Sequence, residues 1–384
     1  MGTPRIAYLP GDGIGPEVLA SARTVLESAG LEAEWTEAPV GWSSWIDEGD
    51  ALPAETLRVL QSTDCCLFGA ITSKPATDAE AELSPHLKGT GLRYTSPILR
   101  IRQAMGLALN VRPATFWSGV ASPLSAPPAA SADGRPFALT VFRENTEDLY
   151  VGCEAHPVTD GAAVATAFPT YGRFTGQAPD DIAASLRVVT RQATERLLES
   201  AFSFAEANGH PTVTLAEKPN VLRATGGLVL EVARDVAARH PSVRLVEQNV
   251  DSLCTELVRR PGDFPVIAAT NLFGDILSDL AAGLSGGLGL APSGSYGDTY
   301  ALFEPVHGSA PDIAGRGIAD PLAAVLSGAM MARHLGRDDI ADVVERAVAG
   351  LLTDGRVLPR DLGGSATTAA VTAALVKRLQ TLTV

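Results

Sequence analysis

Short apolar runs at 5–9, 64–70, 107–111, 137–143, 212–216, 244–247 and 266–269 alternate along this chain with segments whose composition or spacing is helical. Strands alternating with helices pack as α/β layers, so the spacing predicts an α/β fold. Helices are expected at 16–29, where a proline stands near the start, at 98–105, which Gly106 ends, and across 182–207, where apolar residues recur on one face. At 384 residues the chain exceeds what one small core organises, and two domains are expected. PLSAPPAASADGR (123–135) reads as a loop, and the Gly/Pro-punctuated stretch 153–179 is longer than loops usually are.

Thirty basic and 44 acidic residues give a net charge of −14, which argues against a nucleic-acid surface. A polycarboxylate ligand would need a local arginine cluster to overcome that field. No apolar run reaches membrane-spanning length, and MGTPRIAYLPGDG reads as a strand entering a loop rather than a signal peptide. Cys65, Cys66, Cys153 and Cys254 form no CxxC pair, and Cys65–Cys66 lies in the apolar run CCLFGAI, so reduced, buried thiols and a cytoplasmic location are expected.

The stretch 271–289, NLFGDILSDLAAGLSGGLG, places Asp275 and Asp279 four apart in a helical segment, with both carboxylates on one face. Like charges at that spacing repel by a few tenths of a kcal/mol, ~0.2–0.5, and nothing basic stands between them in the sequence. A divalent cation would relieve the repulsion, and hard oxygen ligands suit Mg²⁺ or Mn²⁺ better than zinc. The plainer alternative is a solvated acidic face. The flanking Leu, Ile and Ala, and the uncharged Gly-rich run from Gly283 to Gly297, favour a buried site.

Together with LPGDGIGPEV (9–18), LRIRQAMGLALNVRP (99–113), FRENTEDLY (142–150), LFEPVHGSAPDIAG (302–315) and DLGGSATT (361–368), this stretch resembles the β-decarboxylating dehydrogenases, the family of isocitrate, homoisocitrate, isopropylmalate and tartrate/D-malate dehydrogenases. The resemblance spans nearly the whole chain. It implies an isopropylmalate dehydrogenase-like two-domain fold with a discontinuous first domain, residues 1–107 with 286–384, and an inserted domain, 108–285. It further implies a homodimer with shared active sites, in which the 153–179 region forms an arm.

GDGIGPE is not a GxGxxG fingerprint, and by itself it is as readily a tight turn. In the resembling family this loop, with Ile14, lies beside the nicotinamide end of NAD. The cofactor set implied by resemblance continues with Asn220 and with Glu304, His307, Gly308, Ser309 and Ala310. Asp312 follows, a carboxylate that can accept ribose hydroxyls and would repel a 2′-phosphate. Asp320 stands where an Asn is usual. Arg102, Arg112 and Arg143, each a surface arginine when read alone, match an anion clamp able to hold carboxylates bidentately. Tyr150 and Lys218 match the general acid–base pair and Asp251 the third metal carboxylate. Pro219 departs from the small residue usual beside the lysine.

What the resemblance implies chemically is oxidation of a 3-substituted malate at C2 with NAD and Mg²⁺ or Mn²⁺. Loss of the β-carboxylate then follows. Ser96, six residues before Arg102, KGTG (88–91), RENTEDLY and DLGGSATT lean to the isocitrate and homoisocitrate branch. Ile98–Leu99 suits the apolar substituent of isopropylmalate. An unusual malate with an anionic tail could use Ser96, Arg93 and Lys88. The balance favours a polar or anionic substituent. A catalytically silent, ligand-binding relative would have lost part of this constellation, and the chain keeps all of it.

Overall fold

The computed structural model describes residues 2–130 and 134–382. Ten strands form one mixed sheet: β1 (Arg5–Gly11), β2 (Glu34–Glu37), β3 (Cys65–Ala70), β4 (Leu109–Thr115), β5 (Ala138–Glu144), β8 (Thr212–Glu217), β9 (Arg244–Asn249), β10 (Val266–Ala269), β11 (Pro292–Tyr296) and β12 (Ala301–Pro305). The short strands β6 (Glu154–Ala155) and β7 (Ala184–Ser185) pair with each other. The order across the large sheet is β2-β1-β3-β12-β11-β4-β5-β10-β8-β9. Each flank is parallel, and the antiparallel strands β11 and β4 join them at the centre.

Alternation along each strand sends side chains to two faces. Ile6, Tyr8, Cys65, Leu67 and Phe303 face a core built with helices Gly15–Ser28, Leu322–His334, Asp338–Asp354 and Thr368–Leu382. Their strand neighbours Ala7, Leu9, Cys66, Phe68 and Leu302 face the opposite core, which takes Leu60 from helix Ala54–Ser62 and Ile101 from helix Pro97–Ala104. The other half of the sheet repeats the arrangement. Val213, Leu215, Val266 and Ala268 pack on helices Arg191–Ala207 and Thr225–Ala237, whereas Ala216, Ile267 and Ala269 pack on helices Val250–Arg259 and Asn271–Ser285. Both faces of both halves are therefore covered, as parallel strands require.

Several expectations need correction. The helix predicted from 182 starts at Arg191: Val188–Val189 favours extended backbone, and the Thr190 hydroxyl accepts from the Ala193 amide as an N-cap. The 153–179 stretch carries a short helix, Gly161–Ala167, capped by Asp160. Cys65 and Cys66 are buried and free, but Cys153 is exposed and Cys254 only part-buried. Of the loop expected at 123–135, residues 131–133 lie outside the described ones and the rest holds no regular element. Among the described residues no helix is long and apolar enough to cross a membrane.

Phe202, fully buried where helix Arg191–Ala207 meets the sheet, anchors its half of the molecule. Phe202→Ala should lower the unfolding free energy by about 3–5 kcal/mol, read from urea melts. A loss under ~1 kcal/mol would mean that the core refills the cavity.

Candidate active site

The functional side chains gather where strands end. Helix Asn271–Ser285 follows β10 directly and lies hard against β5, because residue 274 is glycine: a Cβ there would stand 2.7 Å from Arg143 Cγ and 2.8 Å from its Cβ. That close approach puts Arg143, at the end of β5, under the first turn of the helix. Its Nη1 meets Asp275 Oδ1, and its Nε donates to the Asn271 carbonyl at 3.0 Å. Arg112, on β4, donates from Nη1 to Asp275 Oδ1 at 3.0 Å and to Ser278 Oγ at 2.9 Å, and lies 3.6 Å from Asp279. The Tyr150 hydroxyl donates to Asp275 Oδ2 at 2.7 Å, while the Arg143 guanidinium sits 5.1 Å from the Tyr150 ring centroid.

The repulsion between Asp275 and Asp279 is therefore not left to a cation alone. Arg112 stands between them and Arg143 closes on one of them, contacts from the neighbouring strands β4 and β5 to the helix, which sequence spacing does not show. Burial pushes the Asp275 carboxyl up, but Arg143, Arg112 and the Tyr150 hydroxyl outweigh it and hold it below the usual carboxylate range. The Asp279 carboxyl shifts the other way on balance: burial pushes it up, and the Asp275 charge offsets part of the pull of Arg112. Burial also pushes the Tyr150 hydroxyl up, against Arg143 and with help from Asp275, so it holds its proton at neutral pH. Arg102, in the last turn of helix Pro97–Ala104, donates to Glu304 Oε1 at 3.2 Å, and its Nε is buried without a partner. Glu304 thus turns to the arginine cluster.

Lys218 and Asp251 form a second, separate pair. Lys218 follows β8, and its ammonium meets Asp251 in the first turn of helix Val250–Arg259. Among the described residues no three His, Cys, Asp or Glu side chains group closely enough to hold a metal, so Asp251 is not brought to Asp275 and Asp279. Asn220 is exposed in the turn after Lys218.

On the other half of the sheet, the loops after β1 and β12 clasp each other. The Ile14 amide donates to the Ser309 carbonyl at 2.9 Å, and Gly13, at φ +58°, could not carry a Cβ, which would lie 2.0 Å from that oxygen. Thr72 and Ser309 hydroxyls meet at 2.7 Å, and Asp12 accepts from the Trp42 and Thr72 amides at 2.8 Å. Ala310 takes a positive φ of 38°. Ile14, His307, Ile313, Asp320, Arg360 and Asp361 line the cavity beside this clasp. Two buried atoms there have no partner, His307 Nε2 and Asp320 Oδ2. Such atoms suit a ligand carrying its own donors and acceptors, as a purine does. Burial, reinforced by Asp361, pushes the Asp320 carboxyl well above its usual range. Gly308 and Asp312 are exposed, the latter beside Ile313. Ser96 is the N-cap residue of helix Pro97–Ala104, yet its hydroxyl makes no capping bond.

Sequence reasoning gave no role to Asp12 and Asp361, although both stand inside the motifs GDGIGPE and DLGGSATT, and missed Arg187, which no motif marks. Arg187 lay in the segment read as the start of a helix.

The profile of the isocitrate/isopropylmalate dehydrogenase family matches residues 5–378. The chain is 43% identical to the isocitrate/homoisocitrate dehydrogenase of Thermus thermophilus over 98% of its own length and 99% of that protein. It is 38% identical to the 3-isopropylmalate dehydrogenase of Archaeoglobus fulgidus, over 94% of this chain and 95% of the other. The crystal structure of isocitrate dehydrogenase from Methylococcus capsulatus superposes with a TM-score of 0.84 at 36% identity, covering 98% of this chain and 100% of that one.

Gly274→Ala tests the close approach that builds the arginine cluster. The added methyl should cost about 1–3 kcal/mol of stability by overpacking and weaken binding of isocitrate or isopropylmalate, whichever the wild-type chain takes up, read by chemical unfolding and calorimetry. No change in either would mean that the helix moves off Arg143 freely.

Proposed function

Because the chain belongs to the isocitrate/isopropylmalate dehydrogenase family and is an enzyme of that family, we propose that it oxidatively decarboxylates a 3-substituted malate with a polar or anionic substituent, using NAD and Mg²⁺ or Mn²⁺. The observation that carries this reading is the convergence of Arg112, Arg143 and Tyr150 on Asp275, with Arg102 close by. That surface combines anion-binding forks, a protonated phenol and carboxylate oxygens.

The donor set fits a hard cation: Asp275 and Asp279 would hold it, with Asp251 as the third ligand. His307 and Asp320, whose unpartnered atoms face the cavity beside the β1–β12 clasp, would hold the adenine end of NAD, and Asp312 would accept its ribose hydroxyls. When bound, these groups supply a hydride acceptor and a Lewis acid for the C2 oxygen. The chain's own residues do the remainder. Arg102, Arg112 and Arg143 bind and orient the substrate carboxylates. Lys218 accepts the C2 hydroxyl proton, directly or by relay. Tyr150 keeps its proton until CO₂ has left and then delivers it to C3.

Ser96 supports a polar substituent, since its hydroxyl is not consumed in capping. Ile98, the residue that would favour an isopropyl group, packs against the core beneath its own helix. The paired cores of each half support the division into 1–107 with 286–384 and 108–285. A homodimer with shared sites is supported by the separation of Lys218–Asp251 from the Asp275 cluster. It is supported too by half-exposed Val258 and Ile276 on the helices that carry Asp251 and Asp275.

NADH formation should be greatest with isocitrate or homoisocitrate in a panel that includes isopropylmalate, D-malate and tartrate. It should cease in EDTA and return with Mg²⁺ or Mn²⁺, and NAD should exceed NADP by at least ~10-fold in kcat/KM, the effect of roughly 1.4 kcal/mol at the ribose. Activity in chelator would remove the metal role of the aspartates. No turnover of any substrate would favour a silent, ligand-binding protein.

Site sharing is open to a separate check. Lys218→Ala and Asp279→Asn, each inactive, are unfolded together and refolded at equal concentration. About half the dimers should be mixed. Each mixed dimer would hold one doubly lesioned site and one intact site, returning roughly a quarter of wild-type activity. A dead mixture despite demonstrated subunit exchange would place Lys218 and the Asp275 cluster in the same chain's site.

A further inference from the structure

Arg187, its side chain 10% exposed, follows the short strand β7 and has a partner for every N–H of its guanidinium. Nε donates to Asp148 Oδ1 at 2.8 Å. Nη1 donates to the Thr225 hydroxyl at 2.8 Å and more weakly, at 3.5 Å, to Glu217 Oε1. Nη2 donates to Glu217 Oε2 at 2.9 Å and to the Thr270 hydroxyl at 2.8 Å. The ring of Phe273 lies under the group, 5.4 Å from its centre.

Each partner adjoins a residue of the proposed reaction. Asp148 is two residues before Tyr150 and takes a positive φ of 68°, a conformation that a non-glycine residue keeps only when its surroundings hold it. Its carboxylate also accepts from the Leu149 and Leu272 amides, at 3.0 and 3.2 Å, the second at the start of the helix that bears Asp275. Glu217 immediately precedes Lys218 and accepts from the Lys218 amide at 2.8 Å. Thr270 is the N-cap residue of the Asp275 helix, and Thr225 opens the helix after Lys218. The side chains of Asp148 and Glu217 are 3% and 1% exposed, so neither has solvent as an alternative to Arg187.

We propose that Arg187 is a positioning residue for proton transfer, one planar guanidinium that sets the Tyr150 turn and the Lys218 turn relative to each other. The inference rests on the acid–base roles given to Tyr150 and Lys218 above. Lysine cannot replace it, because an ammonium has three donors and no fork to span both carboxylates and both hydroxyls. In a dimer with shared sites, the two turns would serve different active sites, and Arg187 would link them.

The test uses the full-length enzyme with NAD, Mg²⁺ and isocitrate or homoisocitrate. Arg187→Lys keeps the charge and loses the fork. Its kcat should fall on the order of 10²-fold, as for catalytic groups displaced by about an ångström. Its KM should move far less, the limbs of its pH–kcat profile should shift, and NADH affinity by fluorescence titration should stay at the wild-type value. A variant with wild-type kcat and pH limbs overturns the proposal, whatever its melting temperature, because a purely structural role lowers stability alone. Should Arg187→Lys fail to fold, Asp148→Asn decides by the same readouts: a lower kcat with unmoved NADH affinity supports positioning, and wild-type kcat and limbs overturn it. Lys218→Ala and Tyr150→Phe run alongside. If either keeps full turnover, the acid–base reading fails on its own account, independently of what Arg187→Lys does.

Discussion

One carboxylate, that of Asp275, organises the side-chain cluster beside β4 and β5. Arg112 and Arg143 donate to one of its oxygens and Tyr150 to the other. Two nearly buried guanidiniums that close to each other would be untenable without a shared anion, and removing it would leave charges whose burial costs about 3–5 kcal/mol. Arg102 extends the cluster to Glu304 on β12, so strands from both halves of the sheet contribute. In a chain of net charge −14, three arginines set against Asp275, Asp279 and Glu304 bring this region to local balance.

The sheet explains why these groups meet. Arg143 and Glu217 end parallel strands, Thr270 follows one, and Ile14 and His307 follow the ends of β1 and β12. Open α/β sheets bind ligands outside the carboxyl ends of their strands, where the strand order reverses. Here the reversal is made by the antiparallel strands β11 and β4. The seam between them is polar: the Asn110 amide donates to the Ser293 and Ser295 hydroxyls at 2.7 and 3.0 Å, and its oxygen accepts from Arg112 Nε. The seam that joins the halves therefore also orients one arginine of the clamp.

That seam shows where sequence reading runs out. β11 is PSGSY, without the apolar run that marked strands such as β1, β3 and β8, because its buried Ser293 and Ser295 are hydroxyls satisfied by a residue about 180 positions away. Helical spacing correctly put Asp275 and Asp279 on one face. It could not reveal that Arg112, 163 residues from Asp275, would stand between them. The motif-borne residues Tyr150, Arg102, Arg112, Arg143, Asp275 and Asp279 meet as a group, whereas Lys218 and Asp251, which the resemblance alone implied, pair with each other. Local periodicity was sufficient for elements with one apolar face. Long-range polar contacts, Arg187 above all, were invisible to it.

The neighbouring cysteines of β3 have a chemical consequence. Successive residues point to opposite faces, so Cys65 and Cys66 lie in different cores and cannot bond to each other. Burial pushes the Cys65 thiol up to about 12 and the Cys66 thiol well above its usual range, which keeps both out of the thiolate form that reacts. Exposed Cys153 is the position a thiol reagent meets first. Slow labelling at Cys65 would report opening of the core around helix Gly15–Ser28, and labelling at Cys66 opening of the core on the far side of the same strand. Two adjacent atoms of sulfur thus make the two faces of one sheet separately observable, without any change to the chain.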